Sequence, residues 1–174
     1  VRVKDVHHLR LGFYQGDIFT EEPQNERDVT PVLEQLREFK PTVISLAMDP
    51  EGSGPDTHYK VLQTIAHAVR LWSQEADLSK LRVWGYRNVW YRFDLAEADI
   101  IVPVTLNSMS ILNSTFMNCY LSQKDASFPS YEYDGPFCEL SQKIWVEQHH
   151  DLQLLLGRDY WYRNENPHLR AVHG

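Results

Sequence analysis

The stretch TVISLAMDPEGSGPDTH, residues 42–58, decides how this chain is read. Thr42 to Ala47 is β-branched and apolar with no alternation, the pattern of a strand covered on both faces in a parallel sheet. Met48 to Asp56 then crowds Asp49, Pro50, Gly52, Ser53, Gly54 and Pro55 together, which is loop chemistry. From about Thr57 a helical pattern begins. In open α/β sheets, ligands bind in crevices outside the carboxyl ends of strands, so the loop leaving this strand is the place to look for chemistry.

Working back towards the N-terminus, Val32, Leu33, Leu36 and Phe39 follow helical spacing, with Pro31 in the first turn, where its missing N–H costs nothing. Asp28 or Thr30 supplies a cap, Pro41 stops the helix, and Gln15 to Arg27 is a polar, acidic loop. Val6 to Leu11 is expected to be a further strand, ending at a turn through Gly12. Working forward, a helix is expected over 57–76, with Leu62, Ile65, Ala66, Val69 and Trp72 as a packing stripe. Strands are expected over Leu81–Arg87 and Asp99–Val104, and helices over 106–121 and 137–156, the last ended by Gly157. The order is that of an α/β fold, a mostly parallel sheet flanked by helices.

A length of 174 residues with 43% hydrophobic content fits one domain with a sizeable core. No Pro-, Gly- or Ser-rich linker divides it. A formal charge of -7 and the lack of any lysine or arginine cluster argue against nucleic acid as a partner. The apolar runs are strand length, well below the roughly 20 residues of a membrane span, and no signal-peptide pattern opens the chain, so a soluble, cytoplasmic protein is expected. Cys119 and Cys138 stand outside any metal-binding or redox spacing and read as ordinary thiols of a reducing compartment.

His58 stands at the start of a helix just after the Gly/Pro loop, with Asp49, Glu51 and Asp56 within ten residues. Imidazole plus hard oxygen donors is a zinc-competent set, but a catalytic zinc takes about three protein ligands and spacing does not show which carboxylates turn inward. The bland alternative is that Asp56 caps or orders the loop and His58 is a satisfied polar group. His67, nine residues on, falls on the opposite side of the same helix. His7, His8, His149 and His150 read as solvated. No P-loop, GxGxxG, GxSxG or HExxH occurs. Trp84, Tyr86, Trp90, Tyr91 and Phe93 offer rings that stack on pyranoses, although such a run more often packs core and rim; Tyr160, Trp161 and Tyr162 read as a tail packed on the domain.

Taken together, VHHLRLGFY at 6–14, LREFKPTVISLAMDPEGSGPDTHYKVL at 36–62, YRNVWYRFDLAEADIIVPV at 86–104 and CYLSQKDASFP at 119–129 resemble the PIG-L/LmbE-like family of zinc-dependent sugar N-deacetylases. The version they resemble more closely is appended to bacterial glucosamine-6-phosphate deaminase-like proteins. The resemblance implies a Rossmann-like sheet and a zinc held by two ligands from an early PHPDD-type segment and one histidine from a later HPDH- or HGTH-type segment. An early aspartate would act as general base, and zinc-activated water would attack an N-acetyl amide. His58 matches the later zinc ligand.

The chain also departs from the pattern. It contains no PHPDD segment, so two ligands and the base are missing, and the sheet is expected to be incomplete on its N-terminal side. Pro55 stands where the family has a histidine similar to a general acid. Tyr120 stands where a later family histidine precedes the Ser122–Gln123 pair, and Asp56 is one position out of register with a family aspartate. The resemblance makes Asp56 the catalytic candidate, Asp49, Glu51 and Tyr120 substrate-binding candidates, and His58 the metal candidate. The chain opens on a strand-like pattern without methionine and reads as the later portion of a longer protein. The expected ligand is an amino sugar or its phosphate. Zinc belongs to the complete domain and not to this chain alone, and an incomplete sheet with an apolar edge favours a homo-oligomer.

Overall fold

A computed structural model describes residues 3–14, 20–87, 92–124 and 135–163. The chain divides into two compact units, Val1–Arg92 and Phe93–Gly174. Each is described by itself.

The first unit is a β-α-β arrangement preceded by a helix. Strand β1, Val43–Ala47, and strand β2, Arg82–Tyr86, pair in parallel, with Val43 opposite Arg82 and Ala47 opposite Tyr86. Helix α1, Thr30–Phe39, precedes β1, and helix α2, Asp56–Trp72, connects the strands. A parallel pair needs such a crossover, because the chain must return to the same end before running in the same direction again. The expected α/β class and both strand positions are therefore observed.

Val29, Val32, Leu33, Leu36, Ala68 and Trp72 form the core, with Ile44, Ile65, Val69 and Leu81 packed against it. Ile44 and Leu46 lie on one sheet face, and Val43, Ser45 and Ala47 on the other, because side chains alternate along a strand. The parallel register adds Trp84 and Tyr86 to the second face, where Val43, Trp84 and Tyr86 are exposed. Along α2 the buried residues are Lys60, Thr64, Ala68 and Trp72. This line is rotated from the expected stripe: Ala66 is exposed, and two polar residues occupy its N-terminal half. Thr64 is accommodated because its hydroxyl donates to the Lys60 carbonyl at 2.8 Å.

Three local expectations are corrected. Val6–Leu11 is not a strand: Arg10 takes a left-handed φ of 50°, and the following N–H groups, of Gly12 and Phe13, donate to the Asp28 carboxylate at 2.6 and 3.2 Å. Asp28 is not the cap of α1. It is fully buried, closing a π-helical turn, Asn25–Val29, by accepting from Gln24 N at 2.8 Å and from the Arg27 guanidinium. No side chain caps α1, Thr30 included. Asp99–Val104 is also irregular, with Ile100, Ile101 and Val102 exposed and Pro103 unable to donate to a ladder.

The longer regular elements described in the second unit are helices: α3, Leu106–Cys119; α4, Phe137–Leu156; and the short α5, Arg158–Arg163. Thr105 caps α3 by accepting from Ser108 N, and Gly157, at φ 78°, ends α4 where a left-handed residue is needed. Cys138, Leu140, Ile144 and Leu152 of α4 are buried. Cys138 is buried and Cys119 exposed, both as free thiols. Trp90 and Tyr91 of the aromatic run lie outside the described residues, as does most of the segment between the helices expected over 106–121 and 137–156. Among the described residues, no helix is long and apolar enough to cross a membrane.

Candidate functional site

The parallel register brings the ends of both strands out together. Because Ala47 faces Tyr86, Met48 and Arg87 emerge side by side at the carboxyl edge, and Met48 N continues the ladder to the Tyr86 carbonyl at 2.8 Å. Gly85 permits this approach, since a Cβ there would lie 2.9 Å from Met48 Cβ.

Asp49 is buried, and its carboxylate turns back on its own loop. It accepts from Ser53 N at 2.9 Å, the Ser53 hydroxyl at 2.5 Å and Gly54 N at 2.8 Å. Burial pushes this carboxyl up, but the Ser53 and Gly54 donors and the charge of Arg87 outweigh it and hold it below the ordinary carboxylate value. Glu51 is clamped from β2: Arg87 reaches it with two guanidinium nitrogens, at 2.5 and 2.9 Å, and also donates to the Met48 carbonyl at 2.8 Å. Those hydrogen bonds depress the Glu51 carboxyl.

Asp56, the first residue of α2, accepts from the Thr20 hydroxyl and pairs with Lys60 one turn later at 3.1 Å. Thr20 and then Lys60 lower its proton affinity. Lys60 is buried with its ammonium satisfied by Asp56, by the Thr20 carbonyl at 3.0 Å and by Glu22 at 3.4 Å. Burial alone would lower the Lys60 value, and Asp56 and Glu22 reverse that to a net rise.

His58 is half-buried in the first turn of α2, its N–H donating to the Pro55 carbonyl at 2.9 Å. Asp49, Glu51, Asp56 and His58 thus share one strand end. Each of the three carboxylates is nevertheless committed to protein donors. No group of three His, Cys, Asp or Glu side chains among the described residues is disposed to hold a metal ion. Among the described residues, the donors near His58 do not form a zinc-binding set. Tyr120 lies in the second unit, exposed at the end of α3 with its ring stacked on Phe116, centroids 5.9 Å apart.

Sequence reasoning missed Arg87, Lys60, Thr20 and Ser53, which hold these groups. The Asp56–Lys60 pair was visible as an i,i+4 spacing on a helix. Arg87 was not, since its place beside Glu51 depends on the strand register.

Alongside lies a groove of about 610 Å³ bounded by Arg10, Leu11, Phe13 and Tyr14 on one side and by Thr57 and Val61 of α2 on the other. Phe13 is buried and Tyr14 exposed.

The first unit is thus an α/β unit whose candidate site residues Asp49, Glu51, Asp56 and His58 lie in and just after the loop at the carboxyl end of β1. A protein of Bacteroides thetaiotaomicron named glucosamine-6-phosphate deaminase-like is 29% identical to this chain over 128 residues, 71% of the chain. The match spans 19% of that protein's length, about a fifth. No protein-family model matches the chain. No solved structure matches it significantly. The comparison supports a distant relation to the deaminase-like protein.

Proposed function

We propose that this chain is a recognition or regulatory module of amino-sugar metabolism, binding an amino sugar or its phosphate without a complete active site of its own. The observation that carries the reading is the engagement of Asp49, Glu51 and Asp56. A general base must present a lone pair to water or substrate, yet each of these carboxylates accepts from protein donors and binds its proton more weakly than usual. Pro55, three positions before His58, offers no transferable proton. The name of the distant deaminase-like relative supports the choice of substrate class; on this reading the deaminase chemistry itself would reside outside these residues.

The competing reading is a zinc-dependent N-acetyl-sugar deacetylase that uses His58 together with ligands from a further segment. Metal mass spectrometry on the chain and on His58→Ala, with acetate release from N-acetylglucosamine 6-phosphate assayed in parallel, separates the two. Glucosamine 6-phosphate binding without stoichiometric zinc or acetate release is the expected result. About one zinc per chain, lost in His58→Ala and accompanied by acetate release, would overturn the proposal.

A further inference from the structure

We infer that the groove between residues 10–14 and the first turns of α2 is the subsite for a sugar phosphate, with Arg10 contacting the phosphate and the Tyr14 ring lying against the sugar. The inference rests on the recognition role proposed above and adds the residues that perform it. The groove, about 610 Å³ in volume, is open to solvent along one side and has room for a sugar phosphate. Its lining joins a cation to apolar and aromatic surface: Arg10 beside Leu11, Phe13, Tyr14 and Val61.

Arg10 differs from the arginines that hold the fold. Arg27, Arg37 and Arg87 each pair with a carboxylate, at Asp28, Glu75 and Glu51 respectively. Arg10 makes no ion pair or hydrogen bond among the described residues. Its backbone φ of 50° is one that L residues seldom adopt. In a chain of net charge -7, an arginine that lines a groove and makes no ion pair among the described residues is a residue suited to draw an anion, and the planar fork of a guanidinium matches phosphate oxygens two at a time. Tyr14, 58% exposed, presents a ring face of the kind that packs on the C–H side of a pyranose, and buried Phe13 adds apolar lining. No acid or base among Asp49, Glu51 and Asp56 lines this groove, which suits capture of the ligand without its conversion.

The test is calorimetric titration of the full chain with glucosamine 6-phosphate, glucosamine and inorganic phosphate. Arg10→Ala, Arg10→Lys and Tyr14→Ala are compared with Arg70→Ala, which removes an exposed arginine of α2 that does not line the groove. Glucosamine 6-phosphate should bind more tightly than either fragment. Arg10→Ala should weaken it at least tenfold, Arg10→Lys should weaken it less, and Tyr14→Ala should weaken both sugars, with Arg70→Ala unchanged. Undiminished binding in Arg10→Ala and Tyr14→Ala would overturn this subsite and leave the recognition role standing. Equal binding of inorganic phosphate would overturn the sugar contact. No binding of glucosamine 6-phosphate to the wild-type chain would overturn both the subsite and the role.

Discussion

Where α1 and α2 meet, Val32, Leu33, Leu36, Ala68 and Trp72 exclude water and hold the helices by apolar contact. A few residues away, at the strand end, Asp49, Glu51 and Asp56 are tied to Ser53, Arg87 and Lys60, and almost every anchor is polar. Apolar contact is non-directional and proportional to area, so it stabilises the fold without dictating where a loop atom sits. Hydrogen bonds fix position, and their net contribution to stability is modest. The first region should therefore govern whether the chain folds, and the second which conformation the loop keeps.

The largest effect is expected in the apolar region. Trp72→Ala should destabilise the chain by about 3–5 kcal/mol, the usual range for emptying a buried aromatic site, measured by urea unfolding. A loss under about 1 kcal/mol would break the comparison.

Asp28 is the place where a polar group is expected to match the core. Its buried carboxylate accepts from the N–H groups of Gly12, Phe13 and Gln24 and from Arg27, so Asp28→Ala leaves several donors stranded and should lose about 3 kcal/mol. Burial pushes its proton affinity up, while Arg27, Gln24 and Gly12 pull it down further, for a net depression. The stabilisation from ionised Asp28 is thus present above the unfolded carboxyl value, about 3.9, and lost as pH falls through the lower folded value. Asp28→Asn should flatten the acid limb of stability below about pH 4. An unchanged acid limb would show that other carboxylates dominate it.

The smallest global effect is expected at Arg87. Arg87→Ala should leave the unfolding midpoint nearly unchanged while speeding hydrogen exchange at loop amides, those of Ser53 and Gly54 above all. Exchange as slow as in the wild type would show that Asp49 alone orders the loop.

How much of this was legible in the sequence follows the same division. Helix limits were visible where a local signal acts within a few residues: Pro31 in the first turn of α1, Gly157 after α4, and periodicity between them. The two paired strands were visible because each is a short apolar run. Val6–Leu11 and Asp99–Val104 carry similar composition but form no ladder, and pairing is a property of two segments that neither displays alone. The grouping of Asp49, Glu51, Asp56 and His58 at one strand end was foreseeable from the strand–loop–helix order. Their commitments were not, because Arg87 and Thr20 reach them across 36 residues of sequence.

The close approach of Gly85 to Met48 has an evolutionary consequence. With only 2.9 Å between the place a Cβ would take and the Cβ of Met48, and 2.8 Å to its terminal methyl, positions 48 and 85 are not free to drift separately. A descendant that gains a side chain at 85 must shrink or reorient the one at 48. The pair should therefore vary as a unit across homologous sequences, a size trade written into two positions 37 residues apart.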